Sequence, residues 1–156
     1  MTGQTSDLTI SRLIDAPPAK VWRAWSRPKH LERWWIPQPL ECKVIKLDLR
    51  PGGGFETRMR EGGGDFTPHV EGCFLDVAAG QRLVWTTTLG EGWRPIEPWL
   101  ALTAVISFDA EGDGTRYSAR VMHKSEADRR KHEEMGFQEG WGTVIDQLSA
   151  YLKRME

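Results

Sequence analysis

Hydrophobic positions repeat with two different periods along the chain, and the change falls after Pro39. The segment LTISRLI (8–14) is rich in apolar and β-branched residues, which is typical of a strand. Between residues 18 and 35 apolar side chains recur three and four positions apart, as on one face of a helix. They form two groups: Val21, Ala24 and Trp25, then Leu31, Trp34 and Trp35. Prolines precede the first group and follow the second, so the pattern predicts two short helices after strand one.

From residue 41 the period is two, as expected of strands that bury one face. In ECKVIKLDLR (41–50) apolar and polar residues alternate, and a change of side between Val44 and Ile45 predicts a β-bulge. Glycine-rich turns separate the runs that follow. The six strands predicted in this region cover residues 41–50, 55–60, 69–77, 82–89, 100–108 and 115–122.

The C-terminal segment, from about Glu126 to Lys153, is predicted to be one long helix. Its first half is charged all round, and its second half carries an apolar stripe: Met135, Trp141, Ile145, Leu148 and Leu152. Three glycines, Gly136, Gly140 and Gly142, lie inside it, and each costs roughly 1 kcal/mol relative to alanine. We therefore expect either a close approach of the sheet at these glycines or space kept open there, and at Gly140 or Gly142 we expect the close contact.

The element order predicts an α+β fold in which a curved seven-stranded antiparallel sheet wraps around the long C-terminal helix. Both the helix stripe and one face of the sheet need burial, and this arrangement buries them against each other. It is the helix-grip arrangement, with two short helices after strand one. A length of 156 residues is consistent with one domain over 1–156.

Composition narrows the function classes. With 21 basic and 22 acidic residues the net charge is −1, so we expect no nucleic-acid partner. No apolar run approaches the roughly 18 residues that a membrane span needs, and the first residues lack the features of a secretory signal. The two cysteines form no metal or disulfide motif, and the four histidines lack metal-ligand spacing. We expect a cytoplasmic protein without metal or cofactor.

Eight tryptophans in so short a chain indicate either a filled aromatic core or the lining of a cavity. Trp22 and Trp25 are predicted to be structural residues that pack the first helix against the sheet. Trp34 is predicted to face a cavity, whereas its neighbour Trp35 is predicted to seal the outside or to form a homodimer contact.

Three segments of the chain resemble a known family. They are RLIDAPPAKVWRAWSRPKHLERWW (12–35), PGGGFETRMR with VEGCFLDVAAGQRLVWT (51–60 and 70–86), and HEEMGFQEGWGTVIDQLSAYL (132–152). They are similar to the bacterial members of the heat-shock-protein-90 ATPase activator homologue group, in the START-like (SRPBCC) superfamily. The resemblance implies the helix-grip fold and an apolar cavity between the sheet and the long helix.

Residues from the elements that converge in a helix-grip fold are the candidate ligand-binding set. They are Trp34, Phe55, Met59, His69, Glu71, Trp85, Thr87, Trp93, Phe137 and Trp141. His69 and Glu71 lie two apart on one strand, so they are predicted to share its inner face and to orient a ligand or act as acid and base. The loop GEGWRPIEPW (90–99) is predicted to cover the cavity mouth, with Arg94 available to an anionic ligand.

Three functions remain open at this stage. The first is a protein that binds a small apolar or aromatic molecule in its cavity, with no catalytic residue assigned. The second is an enzyme of the polyketide cyclase or hydrolase kind, using the same cavity. The third is a chaperone- or stress-related interaction module. The eukaryotic namesake of the family uses an additional N-terminal domain, and this sequence starts at the first predicted strand, so we do not expect a chaperone partner.

Overall fold

The protein is described by a computed structural model over residues 6–155. The strands are β1 (Asp7–Ile14), β2 (Glu41–Leu47), β3 (Gly54–Arg60), β4 (Thr67–Ala78), β5 (Arg82–Thr86), β6 (Leu89–Gly90), β7 (Arg94–Pro95), β8 (Thr103–Glu111) and β9 (Gly114–Met122). The helices are α1 (Pro18–Ser26), α2 (Pro28–Leu31), α3 (Glu126–Glu134) and α4 (Phe137–Leu152).

Seven of the strands form one antiparallel sheet in the order β1-β9-β8-β5-β4-β3-β2. The short strands β6 and β7 pair only with each other, as a hairpin beside this sheet. The predicted seven-stranded antiparallel sheet and the α+β helix-grip class are therefore confirmed. No helix among residues 6–155 is long and apolar enough to cross a bilayer.

Three irregularities interrupt the register of the sheet. The first lies between Val44 and Lys46 of β2, where the sequence predicts a bulge. The second falls where β4 pairs with Thr57 and Arg58 of β3, and the third follows Phe74 of β4. Because side chains alternate between the two faces of a strand, each irregularity changes which residues face inward.

Helices α1 and α2 confirm the two short helices predicted after strand one. Each begins at a proline, which is tolerated there because the first turn of a helix has no partner for its N–H groups. Val21, Ala24 and Trp25 of α1 and Leu31 of α2 are fully buried. The Nε1 of Trp25 donates a hydrogen bond of 2.9 Å to the Tyr117 hydroxyl, so Trp25 is a core residue, as predicted.

The C-terminal segment forms two helices, and the prediction of one uninterrupted helix is wrong. Gly136 has a φ of +95°, a left-handed conformation that ends α3 and begins α4. The N-cap of α3 is Ser125, whose side chain accepts a hydrogen bond from the Asp128 backbone N–H. Hydrophobic spacing missed the break because Met135 lies at the junction and keeps the apolar stripe continuous.

Candidate functional site

A pocket of about 300 Å³ lies between the sheet and the C-terminal helices. The sheet contributes residues of β4 and β5, the segment 96–102 forms one side, and α4 with the end of α3 forms the other. The lining residues are Trp35, Pro37, Pro68, His69, Val70, Glu71, Trp85, Thr87, Ile96, Glu97, Pro98, Trp99, Leu100, Leu102, His132, Met135, Gly136, Phe137, Gly140, Trp141 and Val144.

Aromatic rings make up much of the wall. The ring of Trp35 lies 6.2 Å from that of Trp85 and 6.0 Å from that of Trp141, centroid to centroid, with both pairs close to edge-to-face. Phe137 lies 5.7 Å from Trp141. Such rings give a ligand a large apolar surface without requiring flexible side chains to become ordered.

The indole Nε1 atoms of Trp35 and Trp85 are buried and have no hydrogen-bond partner among the described residues. Buried donors without a partner are rare in native proteins. Both nitrogens are also shielded from the pocket space, since neither is accessible to solvent. These two tryptophans therefore line the pocket through ring carbon surface rather than through their N–H groups.

Six of the ten candidate residues line the pocket: His69, Glu71, Trp85, Thr87, Phe137 and Trp141. The other four, Trp34, Phe55, Met59 and Trp93, lie outside its lining. Tertiary structure thus brings together residues from β4, β5 and α4, as the sequence predicts, and excludes those assigned from β3.

Trp34 and Trp35 have the opposite roles to those predicted. Trp34 is fully buried in the core, where its Nε1 donates to the Ala24 carbonyl at 3.0 Å. Trp35 is only 5% exposed and lines the pocket, so it does not seal the outside. Both tryptophans are buried, as their spacing from Leu31 predicts, but that spacing did not indicate which of the two reaches the pocket.

The other three candidate residues outside the pocket lining are Phe55, Met59 and Trp93. Phe55 is fully buried beneath the pocket, stacked 5.1 Å from Phe74. Met59 is partly buried near the end of β3, opposite Thr67. Trp93 is 54% exposed, and a Cβ added to Gly52 would meet its ring, so it covers that turn rather than the pocket.

Segment 96–102 supplies lining residues that the sequence analysis missed. Within the segment predicted to cover the cavity mouth (90–99), Ile96 to Trp99 line the pocket, whereas Arg94 is not among the lining residues. Trp99 is 62% exposed and Met135 is 52% exposed, so these two mark the opening of the pocket. The available signal was the sequence IEPWL, a proline and a large aromatic residue immediately before a strand.

His69 and Glu71 do not form the predicted pair on one inner face. Glu71 is exposed at the pocket edge and stands opposite Glu56, which stands opposite Lys46 in the next strand. The pKa of Lys46 is raised by its hydrogen bond to Glu91 and, less strongly, by the nearby Glu56 and Glu71 charges. The Glu71 carboxylate therefore belongs to this exposed charged row.

A register shift explains why His69 differs from Glu71. Thr57 pairs with Val70 and Arg58 pairs with Pro68, so His69 is an extra residue between two paired positions. A bulge of this kind redirects a side chain away from strict alternation. Alternation counted from the sequence did not detect it, although Pro68, directly before His69, is a residue type that is found at bulges.

The ring of His69 is held between a hydroxyl and an aromatic ring. Its Nδ1 lies 3.0 Å from the Thr57 hydroxyl oxygen, and its ring centroid lies 6.4 Å from that of Trp35. Burial lowers the pKa of His69 to about 4, because the charged imidazolium loses its hydration there. At neutral pH this side chain is uncharged.

His132 is a lining residue that the sequence analysis did not select. Its Nδ1 lies 2.9 Å from Nε2 of His123, whose Nδ1 lies 2.8 Å from the Ser6 carbonyl oxygen. Burial, together with the nearby His123, lowers the pKa of His132 to about 4. The only signal in the sequence was the occurrence of two histidines near the ends of adjacent elements.

The hydroxyl of Thr87 lines the pocket but is engaged by the protein. It donates to the Leu100 carbonyl at 2.8 Å and accepts from the Leu102 N–H at 3.0 Å. Thr87 thus joins β5 to segment 96–102 and fixes one wall. The hydrogen of this hydroxyl is therefore used within the protein.

Charge in the lining is confined to the opening. Among the described lining residues there is no lysine or arginine. The two glutamates of the lining, Glu71 and Glu97, are exposed. No group of three or more His, Cys, Asp or Glu side chains within residues 6–155 could hold a metal ion. The interior of the pocket is therefore uncharged at neutral pH.

Gly140 and Gly142 make no close contact, so the predicted close approach is wrong. A Cβ at Gly140, which lines the pocket, would meet no atom within 4 Å. A Cβ at Gly142 would lie 3.6 Å from the Arg12 guanidinium and 4.0 Å from Ile10, both ordinary contacts. At Gly140 the absent side chain leaves space open in the pocket, which was the other expectation.

Comparison with known proteins identifies a family and several similar structures. The family described as Activator of Hsp90 ATPase homolog 1-like protein matches residues 15–153. A crystal structure of a Nitrosomonas europaea protein has 41% sequence identity and a TM-score of 0.91, over 98% of this chain and 97% of that one. A crystal structure from Mycobacterium smegmatis has 25% identity and a TM-score of 0.79, over 99% and 94%.

A crystal structure from Rhodobacter sphaeroides, with 15% identity and a TM-score of 0.84 over 100% of this chain and 98% of that one, is similar in fold alone. No curated protein matches the chain. Since the family match extends from the end of strand β1 to the end of helix α4, the protein belongs to the Activator of Hsp90 ATPase homolog 1-like family.

Proposed function

We propose that the protein binds a small, uncharged, apolar or aromatic molecule in the pocket between the sheet and α4. The observation that carries the proposal is the pocket itself. It has a volume of about 300 Å³, it is lined by four tryptophans and a phenylalanine, and it opens at Trp99 and Met135. Ligand sites generally combine a mostly apolar lining with a few placed polar groups.

The electrostatics of the lining favour an uncharged ligand. A carboxylate or sulfonate inside the pocket would meet no cation, and its desolvation would not be offset. The loop cation predicted to receive an anionic ligand, Arg94, is not part of the lining. Proteins with the helix-grip fold commonly bind ligands, which supports the same proposal.

Binding is better supported than catalysis. His69 and Glu71 both line the pocket but do not form the acid–base pair expected of an enzyme, because Glu71 lies in the exposed row while His69 contacts Thr57 and Trp35. Activation of a chaperone ATPase, which the family's description names, has no supporting observation within residues 6–155. Homodimerisation and a cytoplasmic location stay predictions.

The experiment uses N-phenyl-1-naphthylamine, an uncharged probe that becomes fluorescent in apolar sites. The variant is Gly140→Leu, which places a side chain into the open space beside Gly140. The control is Ala150→Leu, which adds the same side chain at an exposed position of the same helix. The wild-type protein and the control should bind the probe with micromolar Kd values, and Gly140→Leu should bind it at least tenfold more weakly.

Two results would contradict the proposal. One is saturable binding that is equal in all three proteins, because the probe would then occupy another surface. The other is no binding to folded wild-type protein, together with no co-purified small molecule in native mass spectrometry. Circular dichroism and thermal melting of each variant establish that it is folded.

A further inference from the structure

Two accessible imidazole nitrogens belong to residues that line the pocket, and the surrounding hydrogen bonds assign them opposite roles. They are Nε2 of His69 and Nε2 of His132. Each residue lines the pocket, and each uses Nδ1 for a bond within the protein. Neither Nε2 has a protein partner, and neither is among the buried unpartnered atoms of the described residues.

The role of His132 follows from a chain of three groups. The Ser6 carbonyl oxygen can only accept, so Nδ1 of His123, 2.8 Å away, carries the proton that donates to it. In a neutral imidazole the other nitrogen is then an acceptor, so Nε2 of His123 accepts from Nδ1–H of His132. Nε2 of His132 is left without a proton, and it is a hydrogen-bond acceptor.

The role of His69 follows from its single partner. The Thr57 hydroxyl is fully buried, and His69 Nδ1 at 3.0 Å is its one hydrogen-bond partner within the described residues. The Thr57 O–H is satisfied only when it donates to Nδ1, because no other acceptor is in reach. The proton of the neutral imidazole then resides on Nε2, so Nε2–H of His69 is a hydrogen-bond donor.

Several other polar groups of the lining are engaged or shielded. The Thr87 hydroxyl already donates to Leu100 and accepts from Leu102, and the indole nitrogens of Trp35 and Trp85 are shielded. Glu71 and Glu97 belong to exposed residues at the edge. Nε2 of His132 therefore remains as the acceptor of the pocket interior, and Nε2–H of His69 is a donor there beside the indole N–H groups of Trp99 and Trp141.

We propose that the pocket selects an uncharged aromatic ligand that presents an acceptor, such as a carbonyl oxygen, to Nε2–H of His69 and a donor, such as a hydroxyl, to Nε2 of His132. This inference rests on the proposed function, because it names the ligand class of the same pocket. It divides recognition between ring surfaces, which supply affinity, and two histidines with fixed tautomers, which supply orientation.

The binding test uses three probes of one ring system: naphthalene, 2-naphthol as a donor, and 2-acetonaphthone as an acceptor only. Isothermal titration at pH 7.5 gives the Kd of each probe relative to that of naphthalene. His132→Leu should weaken the binding of 2-naphthol relative to that of naphthalene by about threefold to tenfold, as expected for the loss of one neutral hydrogen bond. The same variant should leave the ratio for 2-acetonaphthone within about twofold of wild type.

The matched variant is Thr57→Val/His69→Leu, which removes both partners of the inner hydrogen bond so that no buried hydroxyl is orphaned. It should weaken 2-acetonaphthone relative to naphthalene by about threefold to tenfold. A uniform change of both ratios in either variant, or no change in either, overturns the inference. Ratios to naphthalene separate these effects from a general change in pocket shape.

A second measurement tests the tautomers without any variant or ligand. Long-range ¹⁵N–¹H correlation spectra of histidine side chains at pH 7.5 distinguish Nδ1–H from Nε2–H rings. His69 should be the Nε2–H tautomer, and His123 and His132 should be Nδ1–H tautomers. The opposite assignment at His69 or at His132 overturns the inference.

The proposed function and this inference fail differently. If none of the three naphthalenes binds the wild-type protein, the proposed function fails. If naphthalene binds in the pocket but the histidine substitutions leave the Kd ratios of 2-naphthol and 2-acetonaphthone to naphthalene unchanged, the proposed function stands. The selection by paired donor and acceptor is then wrong.

Discussion

Substituting alanine for Gly140 and for Gly142 separates helix stability from pocket volume. Both residues lie inside α4. Alanine in a helix interior is more favourable than glycine by roughly 1 kcal/mol. No steric term opposes this gain at Gly140, where a Cβ meets no atom within 4 Å, and the contact of 3.6 Å at Gly142 is ordinary van der Waals contact.

The expected result is that each variant raises the free energy of unfolding by roughly 1 kcal/mol. Binding should distinguish the two variants, because only Gly140 lines the pocket. Gly140→Ala should raise the Kd of N-phenyl-1-naphthylamine severalfold, whereas Gly142→Ala should leave that Kd unchanged. The assay is urea unfolding followed by circular dichroism, with probe titration on the same samples.

The outcome at Gly140 is the critical one. Destabilisation by Gly140→Ala would mean that a neighbouring group lies much closer than 4 Å, and the pocket would then be smaller than described. Stabilisation with unchanged binding would mean that the ligand does not reach this part of α4. Equal weakening of binding by both variants would show that helix rigidity, and not pocket space, controls affinity.

Three further predictions concern stability. Tyr117→Phe should cost about 1–3 kcal/mol in urea unfolding, because it leaves the buried Trp25 N–H without its acceptor, and Tyr151→Phe, at the half-buried bond to His30, should cost less. The pKa of His69 is about 4 in the folded protein and 6.5 in the unfolded chain, so the unfolded state binds the proton first as the pH falls. The contribution of neutral His69 to stability is therefore complete above pH 6.5 and decreases as the pH falls toward 4. Wild type should therefore lose about 2 kcal/mol more than His69→Gln between pH 7 and pH 5, and an equal loss in both would refute the assignment. Gly136→Ala should destabilise by about 1–2 kcal/mol because its φ of +95° is left-handed, and a gain in stability would instead support one continuous helix.

Sequence periodicity was sufficient for the sheet and for α1 and α2, because both depend on one face being buried. It failed at two places. The left-handed Gly136 divides the C-terminal helix, and Trp34 lies in the core while Trp35 lines the pocket. Neither event alters the spacing of apolar residues, so hydrophobic pattern alone could not reveal it.

Candidate site residues were selected from elements that converge in the helix-grip fold. Trp85 of β5 and Trp141 of α4 both line the pocket. In β4 the extra residue His69 broke the alternation on which the pairing with Glu71 depended. His132 could not be found from spacing, because its role depends on a hydrogen bond to His123 that forms only when α3 docks against the end of β9.

The indole N–H region of a ¹⁵N–¹H correlation spectrum, recorded while N-phenyl-1-naphthylamine is added, tests the central proposal most directly. The eight tryptophans include four that line the pocket, Trp35, Trp85, Trp99 and Trp141, and four that do not. Binding in the pocket predicts saturable shifts of those four signals, while the signals of Trp22 and Trp93 stay in place. Shifts confined to Trp22 or Trp93, or no shifts at saturating probe, would contradict a ligand site between the sheet and α4.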